Sequence, residues 1–114
     1  METTIAKQEI IEQLLEQLSN SDWIKRAVAA KSLGEIGDNN AVPYLSNFLS
    51  DSVEIVRVNA AEALGKLGDK SAAPGLIKLL SDSNNLWLVR CIAAESLGKL
   101  GESSAVPSLI KSLY

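Results

Sequence analysis

Apolar residues recur at helical spacing from the first turns of the chain. Ile10, Ile11, Leu14, Leu15 and Leu18 fall at i, i+3, i+4 and i+7, one stripe of an amphipathic helix. Lys7, Glu9, Glu12, Gln13, Glu16 and Gln17 occupy the other side. This predicts a helix over residues 4–18, capped by Thr3 or Thr4, with the polar outer face that a terminal repeat needs. Further stretches of the same kind predict helices over 22–36, 42–49, 53–67, 72–80, 86–100 and 105–114, seven in all. Short polar turns separate them, such as Ser19-Asn20-Ser21-Asp22, Asp38-Asn39-Asn40 and Ser50-Asp51-Ser52. Connections of about three to five residues force neighbouring helices antiparallel. No segment alternates apolar and polar with period two, so no strand is expected.

The helices repeat. AAKSLGEIGD (29–38), AAEALGKLGD (60–69) and AAESLGKLGE (93–102) are three copies of one phrase. Gly34, Gly65 and Gly98 lie 31 and then 33 residues apart. Pro43, Pro74 and Pro107 keep the same steps, and so do Arg26, Arg57 and Arg90. A period near thirty suits one helix–turn–helix unit per repeat. The expected organisation is one domain over 1–114, with repeats near 4–37, 40–68 and 71–101 and a half repeat over 104–114. The two extra residues of the longer step fall in the turn after Asp82. Each proline sits in the first turn of its helix, where a missing N–H costs little. Gly34 and Gly37 are expected to end the second helix of the first repeat, with counterparts one period on. Met1 and the polar first helix look like a natural start.

Within each second helix the repeated apolar positions read as core: Ala60, Ala63, Leu64 and Leu67, with their counterparts. A second line, at strict i, i+4 spacing, varies between repeats. It runs through Trp23, Ala27, Lys31 and Glu35, then Glu54, Val58, Glu62 and Lys66, then Trp87, Cys91, Glu95 and Lys99. A line that varies while its neighbours stay fixed is expected to face solvent and to form a continuous binding surface in a stacked array. Trp23 and Trp87 hold equivalent places on it. Each either anchors a partner, as tryptophan often does at binding hot spots, or fills the gap at the start of its helix.

Composition narrows the functional classes. A net charge of −3 and the absence of a basic run argue against general nucleic-acid binding and against an electrostatic membrane anchor. No apolar run reaches the length needed to span a bilayer, and the N-terminus lacks the pattern of a secretory signal, so a cytoplasmic location is expected. The single cysteine, Cys91, cannot form an internal disulfide.

Chemistry is sparse. The sequence has no histidine, which removes Ser–His and Cys–His nucleophiles and a His/Cys zinc site. Cys91 shares its line with Glu95, and a neighbouring carboxylate raises a thiol pKa rather than activating it. The Gly-x-x-Gly turns lack the lysine and hydroxyl continuation of a phosphate loop. Lys31, Lys66 and Lys99 are balanced by Glu35, Glu54, Glu62 and Glu95, so the line is no basic groove. No enzyme activity, cofactor or metal is expected; the expected partner is another protein. Leu109, Ile110 and Leu113 make an apolar stripe on the last helix, which either caps the array or pairs with a second copy.

LGxxGDxxAVPxLIxxLxD followed by VRxxAAxALG resembles the HEAT-like repeat of phycobilin lyase subunits and many other repeat proteins. Gly65, Gly68, Asp69, Pro74, Leu76, Ile77, Leu80, Asp82, Arg90 and Ala94 carry the match, which covers about residues 12–114. The resemblance implies an all-α, right-handed α-solenoid of about three and a half helix pairs, with second helices lining the concave side. It implies that Asp22, Asp51 and Asp82 with Arg26, Arg57 and Arg90 brace neighbouring units. It leaves two functions: a non-catalytic protein-interaction module or scaffold, or an accessory subunit or chaperone of a phycobilin lyase-like cofactor-attachment system. One departure is Lys25, which stands where the pattern has an apolar residue before the arginine.

Overall fold

The computed structural model describes residues 2–101, with side chains from residue 6 onward. Within that range the chain forms six α-helices: α1 (Glu2–Gln17), α2 (Trp23–Ile36), α3 (Val42–Asn47), α4 (Glu54–Leu67), α5 (Ala73–Ser81) and α6 (Trp87–Lys99). Short 3-10 turns cover Asn39–Ala41, Phe48–Ser50 and Lys70–Ala72. There is no strand among the described residues. The expected seventh helix, over 105–114, and its apolar stripe lie outside the described residues.

The helix ends follow from local chemistry. Asp22 caps α2 by accepting from the Ile24 N–H at 3.0 Å. Asp38 and Asp69 accept from Asn40 and Ser71 N–H groups and open the 3-10 turns that lead into α3 and α5. Gly37 (φ 82°) and Gly68 (φ 69°) close α2 and α4 in the left-handed region, their N–H groups returning to Leu33 and Leu64 carbonyls. Gly34 and its counterparts are not caps, contrary to expectation: they lie inside the helices. A Cβ on Gly34 would stand 2.7 Å from Cα and Cβ of Ala63, and one on Gly65 would meet Ser96 at 2.7–3.0 Å. Gly34 and Gly65 are required by helix contact, not by backbone dihedrals.

That contact organises the stack. α4 packs between α2 and α6, so the second helices form one continuous row, and each also packs on the first helix of its own pair. The first helices touch one another less. The arrangement is that of an α-solenoid. Two hydrogen bonds from a side chain to a backbone carbonyl cross the seams: Asn59 Nδ2 donates to the Ala27 carbonyl at 2.9 Å, and Ser96 Oγ donates to the Ala61 carbonyl at 2.7 Å. Between the rows lie Leu33, Leu64 and Leu97 from the second helices and Leu45, Leu76 and Leu80 from the first, all fully buried. Each such side chain contributes about 1.5–3 kcal/mol through removal from water. Val56 and Val89 are fully buried, whereas Lys25 at the same repeat position is exposed, because no second helix precedes α2 among the described residues.

The arginine column braces the units, but its acidic column starts at a different place than expected. Asn20, Asp51 and Asp82 are equivalent: each side chain accepts from the N–H two residues ahead at 2.9 Å. Asp22 therefore belongs to the helix cap and not to the brace. Arg26 forms a bidentate pair with Asp51 of the next repeat, Nε to Oδ2 at 2.9 Å and Nη2 to Oδ1 at 3.1 Å. Burial raises the Asp51 pKa. The hydrogen bonds from Arg26 and Val53 and the charges of Arg26 and Arg57 outweigh it, and the carboxyl lies below its ordinary value.

Candidate functional site

The i, i+4 line does not stay on one face. Successive residues of an α-helix turn by about 100°, so a step of four drifts by about 40°. Three steps carry the line about 120° round the helix. The exposed end of the line is where expected: Lys31, Glu35, Glu62, Lys66, Glu95 and Lys99 are all exposed. Its middle is not. Ala27 and Val58 are buried and Cys91 is half-buried, because this position leans into the seam that receives the next second helix. Glu54 is half-buried.

The tryptophans resolve the other open question. Trp23 is 43% exposed and Trp87 is 70% exposed, so neither fills a gap in the core. They mark the N-terminal ends of α2 and α6. Beside them runs a file that sequence reading missed: Ile24, Ile55 and Leu88, one per repeat and each about half exposed. The signal was present, since these three lie seven residues before Lys31, Glu62 and Glu95 and so share their face. A spacing of i, i+7, i+11 traces the exposed face; the strict i, i+4 line wraps away from it.

The face thus has two zones. An apolar edge at the helix starts contains Trp23, Ile24, Ile55, Trp87 and Leu88. A charged floor follows, with Lys31, Glu62 and Glu95 in one file and Glu35, Lys66 and Lys99 in the next. The floor carries three charges of each sign, and the only ion pair within it is Lys99 to Glu95 at 3.7 Å among the described residues. At the first repeat the edge runs into an apolar groove of about 320 Å³ bounded by Leu14, Ile24, Val28 and Ala29. Ile10 and Val28 add exposed apolar surface on that side. Exposed large side chains at one register, rimmed by charges of both signs, suit a protein surface.

Among the described residues no cluster of three or more His, Cys, Asp or Glu is placed to hold a metal, and no helix is long and apolar enough to cross a membrane.

Comparison with known proteins agrees with this geometry. A chain in the structure of the complex of CpcE and CpcF of phycocyanin lyase from Nostoc sp. PCC7120 superposes with a TM-score of 0.82 at 38% sequence identity. The match covers 90% of this chain and 41% of that chain, so the present sequence spans less than half the length of its structural neighbour. Comparison with curated protein sequences gave no match. The family model for HEAT repeats matches twice, over residues 11–86 and 49–114. With its period, helix pairs and glycine seams so accounted for, the chain belongs to the HEAT-repeat family.

Proposed function

We propose that this protein is a non-catalytic protein-interaction module whose partner docks on the exposed face of the second helices. The observation that carries the reading is the apolar edge, where Ile24, Ile55 and Leu88 stand exposed at one repeat position between Trp23 and Trp87. The edge supplies buried area on docking, and the mixed charges of the floor set the register. The absence of histidine from the sequence supports the non-catalytic assignment. The closer packing of the second helices supports placing them on the inner side of a right-handed superhelix. A structural neighbour that was solved as a two-subunit complex makes a second HEAT-repeat chain the first partner to try.

The test is a comparison of wild type with a Trp23→Ala/Trp87→Ala variant that circular dichroism confirms to be folded. Immobilised protein is exposed to lysate of the source organism and, separately, to purified HEAT-repeat lyase subunits. Loss of a true aromatic anchor costs about 2 kcal/mol or more of binding free energy, so a captured partner is lost from the variant. Equal capture by both proteins moves the site off this face.

A second reading is favoured by the 38% identity to a phycocyanin lyase chain: an accessory subunit of a bilin-attachment system. Titration with bilins, alone and with a lyase partner subunit present, checks it by absorbance. No spectral change in either arm removes it.

A further inference from the structure

The seam between the first two repeats is closed by Arg26 and Asp51. The next seam has the same parts and leaves them apart. Arg57 repeats the inner half of the arrangement: its Nη1 donates to the Asp51 carbonyl at 2.6 Å, as Arg26 Nη1 donates to the Asn20 carbonyl at 2.9 Å. The outer half is missing. Among the described residues no ion pair joins Arg57 to Asp82, and the buried Arg57 Nε has no hydrogen-bond partner. The turn from Asp82 into α6 carries two residues more than its counterpart after Asp51. A pocket of about 610 Å³ opens there, lined by Ser50, Arg57, Lys78, Asp82, Asn84 and Asn85, among others.

We propose that this pocket binds a carboxylate, gripped by the Nε–Nη2 edge of Arg57 as Arg26 grips Asp51. The chain itself supplies the template, a carboxylate held bidentately by the equivalent arginine. Asp51 also lines the pocket, but its carboxylate is held by Arg26 and the Val53 N–H, so the charges gathered there are Arg26, Arg57 and Lys78 against Asp51 and Asp82. That balance is one positive charge in favour of an anion. Asp82 disfavours a phosphate dianion more than a monoanionic carboxyl group. A buried N–H without an acceptor is a standing cost that an incoming oxygen relieves. Arg57 as a whole is only half-buried, so the guanidinium can turn toward the space it lines. The carboxylate comes either from a small free acid or from an Asp or Glu side chain of a bound protein. The site is separate from the exposed face of the second helices and stands or falls independently of it.

The experiment follows the arginine Nε–H resonances of 15N-labelled protein by NMR, with Arg57 assigned through Arg57→Lys. The probes are glutarate, an acetylated Gly-Glu-Gly amide, its Gly-Gln-Gly counterpart and inorganic phosphate. A saturable shift of the Arg57 signal with both glutarate and the Glu peptide supports the site with a free acid sufficient as ligand. A shift with the peptide alone supports it with a protein side chain as the source. Backbone signals around the pocket should stop responding in Arg57→Lys. Asp82→Asn keeps the turn's acceptor for the Asn84 N–H and removes the opposing charge, so it should tighten carboxylate binding several-fold. Four results overturn the proposal: no response to either carboxylate, an equal response to the Gln peptide, a stronger response to phosphate, or binding weakened by Asp82→Asn.

Discussion

Two seams join three helix pairs in this protein, and they are closed differently. At the first, Arg26 and Asp51 form a bidentate pair, Gly34 receives Ala63, and Asn59 reaches back to the Ala27 carbonyl. At the second, Gly65 receives Ser96 and Ser96 reaches back to the Ala61 carbonyl, but Arg57 and Asp82 stay apart across a pocket. The helix contacts are thus conserved in kind while the ionic brace is not. Close contact of small residues along the second helices holds the stack at both seams. The brace is an addition present at one seam; at the other, where the turn is two residues longer, Arg57 is left without the carboxylate that Arg26 holds.

The largest effects should come from the glycines of the seams. Gly34→Ala puts a methyl group against the backbone of Ala63, and the helices must separate; a loss of about 1–3 kcal/mol is expected in denaturant unfolding. Gly65→Ala should cost a similar amount, because the methyl group meets Ser96 Cβ and Cα at 2.9 and 3.0 Å as well as the hydroxyl that bonds the Ala61 carbonyl. If both are neutral, the seams are not set by helix contact. Next in size is the brace. Asp51→Asn leaves the Arg26 guanidinium without its carboxylate and should cost about 2–3 kcal/mol, whereas Asp82→Asn should cost under about 0.5 kcal/mol. Equal costs would erase the difference between the seams.

The pH dependence separates them further. The folded pKa of Asp51 is lowered, so its contribution is complete above the ordinary carboxylate range and is lost as pH falls through the folded value. Wild type should lose stability on acidification below that range, and Asp51→Asn should lose less. Asp69, held below its usual value by the Ser71 N–H and hydroxyl, shifts in the same direction from an exposed site. An effect of opposite sign is expected at the end of the row. A Cβ on Gly98 meets nothing within 4 Å among the described residues. Gly98→Ala should therefore stabilise α6 by about 0.5–1 kcal/mol, measured as a rise in Tm. Destabilisation there would mean that something packs on that face.

Much of this was legible from the chain. The 31- and 33-residue steps gave the pairs, and the element boundaries came within one or two residues because aspartates and glycines mark them. The role of Gly34 was read wrongly because a glycine near a helix end looks like a cap. Only the partner helix shows that it is a contact. Asp22 was placed in the bracing column because it precedes Arg26 closely; the hydrogen bonds show that Asn20 holds the equivalent place, where an amide side chain hides the repeat. The exposed face was half found. Lys31, Glu35 and their counterparts follow from variability between repeats. Ile24, Ile55 and Leu88 escaped notice because an apolar residue that recurs in every repeat reads as core. Their exposure depends on where a neighbouring helix stops, which no single helix's pattern contains. The open seam was visible as two extra residues, but its consequence for Arg57 required the geometry.

Double-mutant cycles on the two arginine–aspartate pairs test the difference between the seams most directly. Arg26→Ala, Asp51→Ala and the double variant are unfolded in denaturant beside Arg57→Ala, Asp82→Ala and their double variant. The expected coupling is about 1–3 kcal/mol for Arg26 with Asp51 and under about 0.5 kcal/mol for Arg57 with Asp82. Equal coupling in both cycles would contradict the account, because it would mean that Arg57 already holds Asp82 and that the second seam has no arginine to spare.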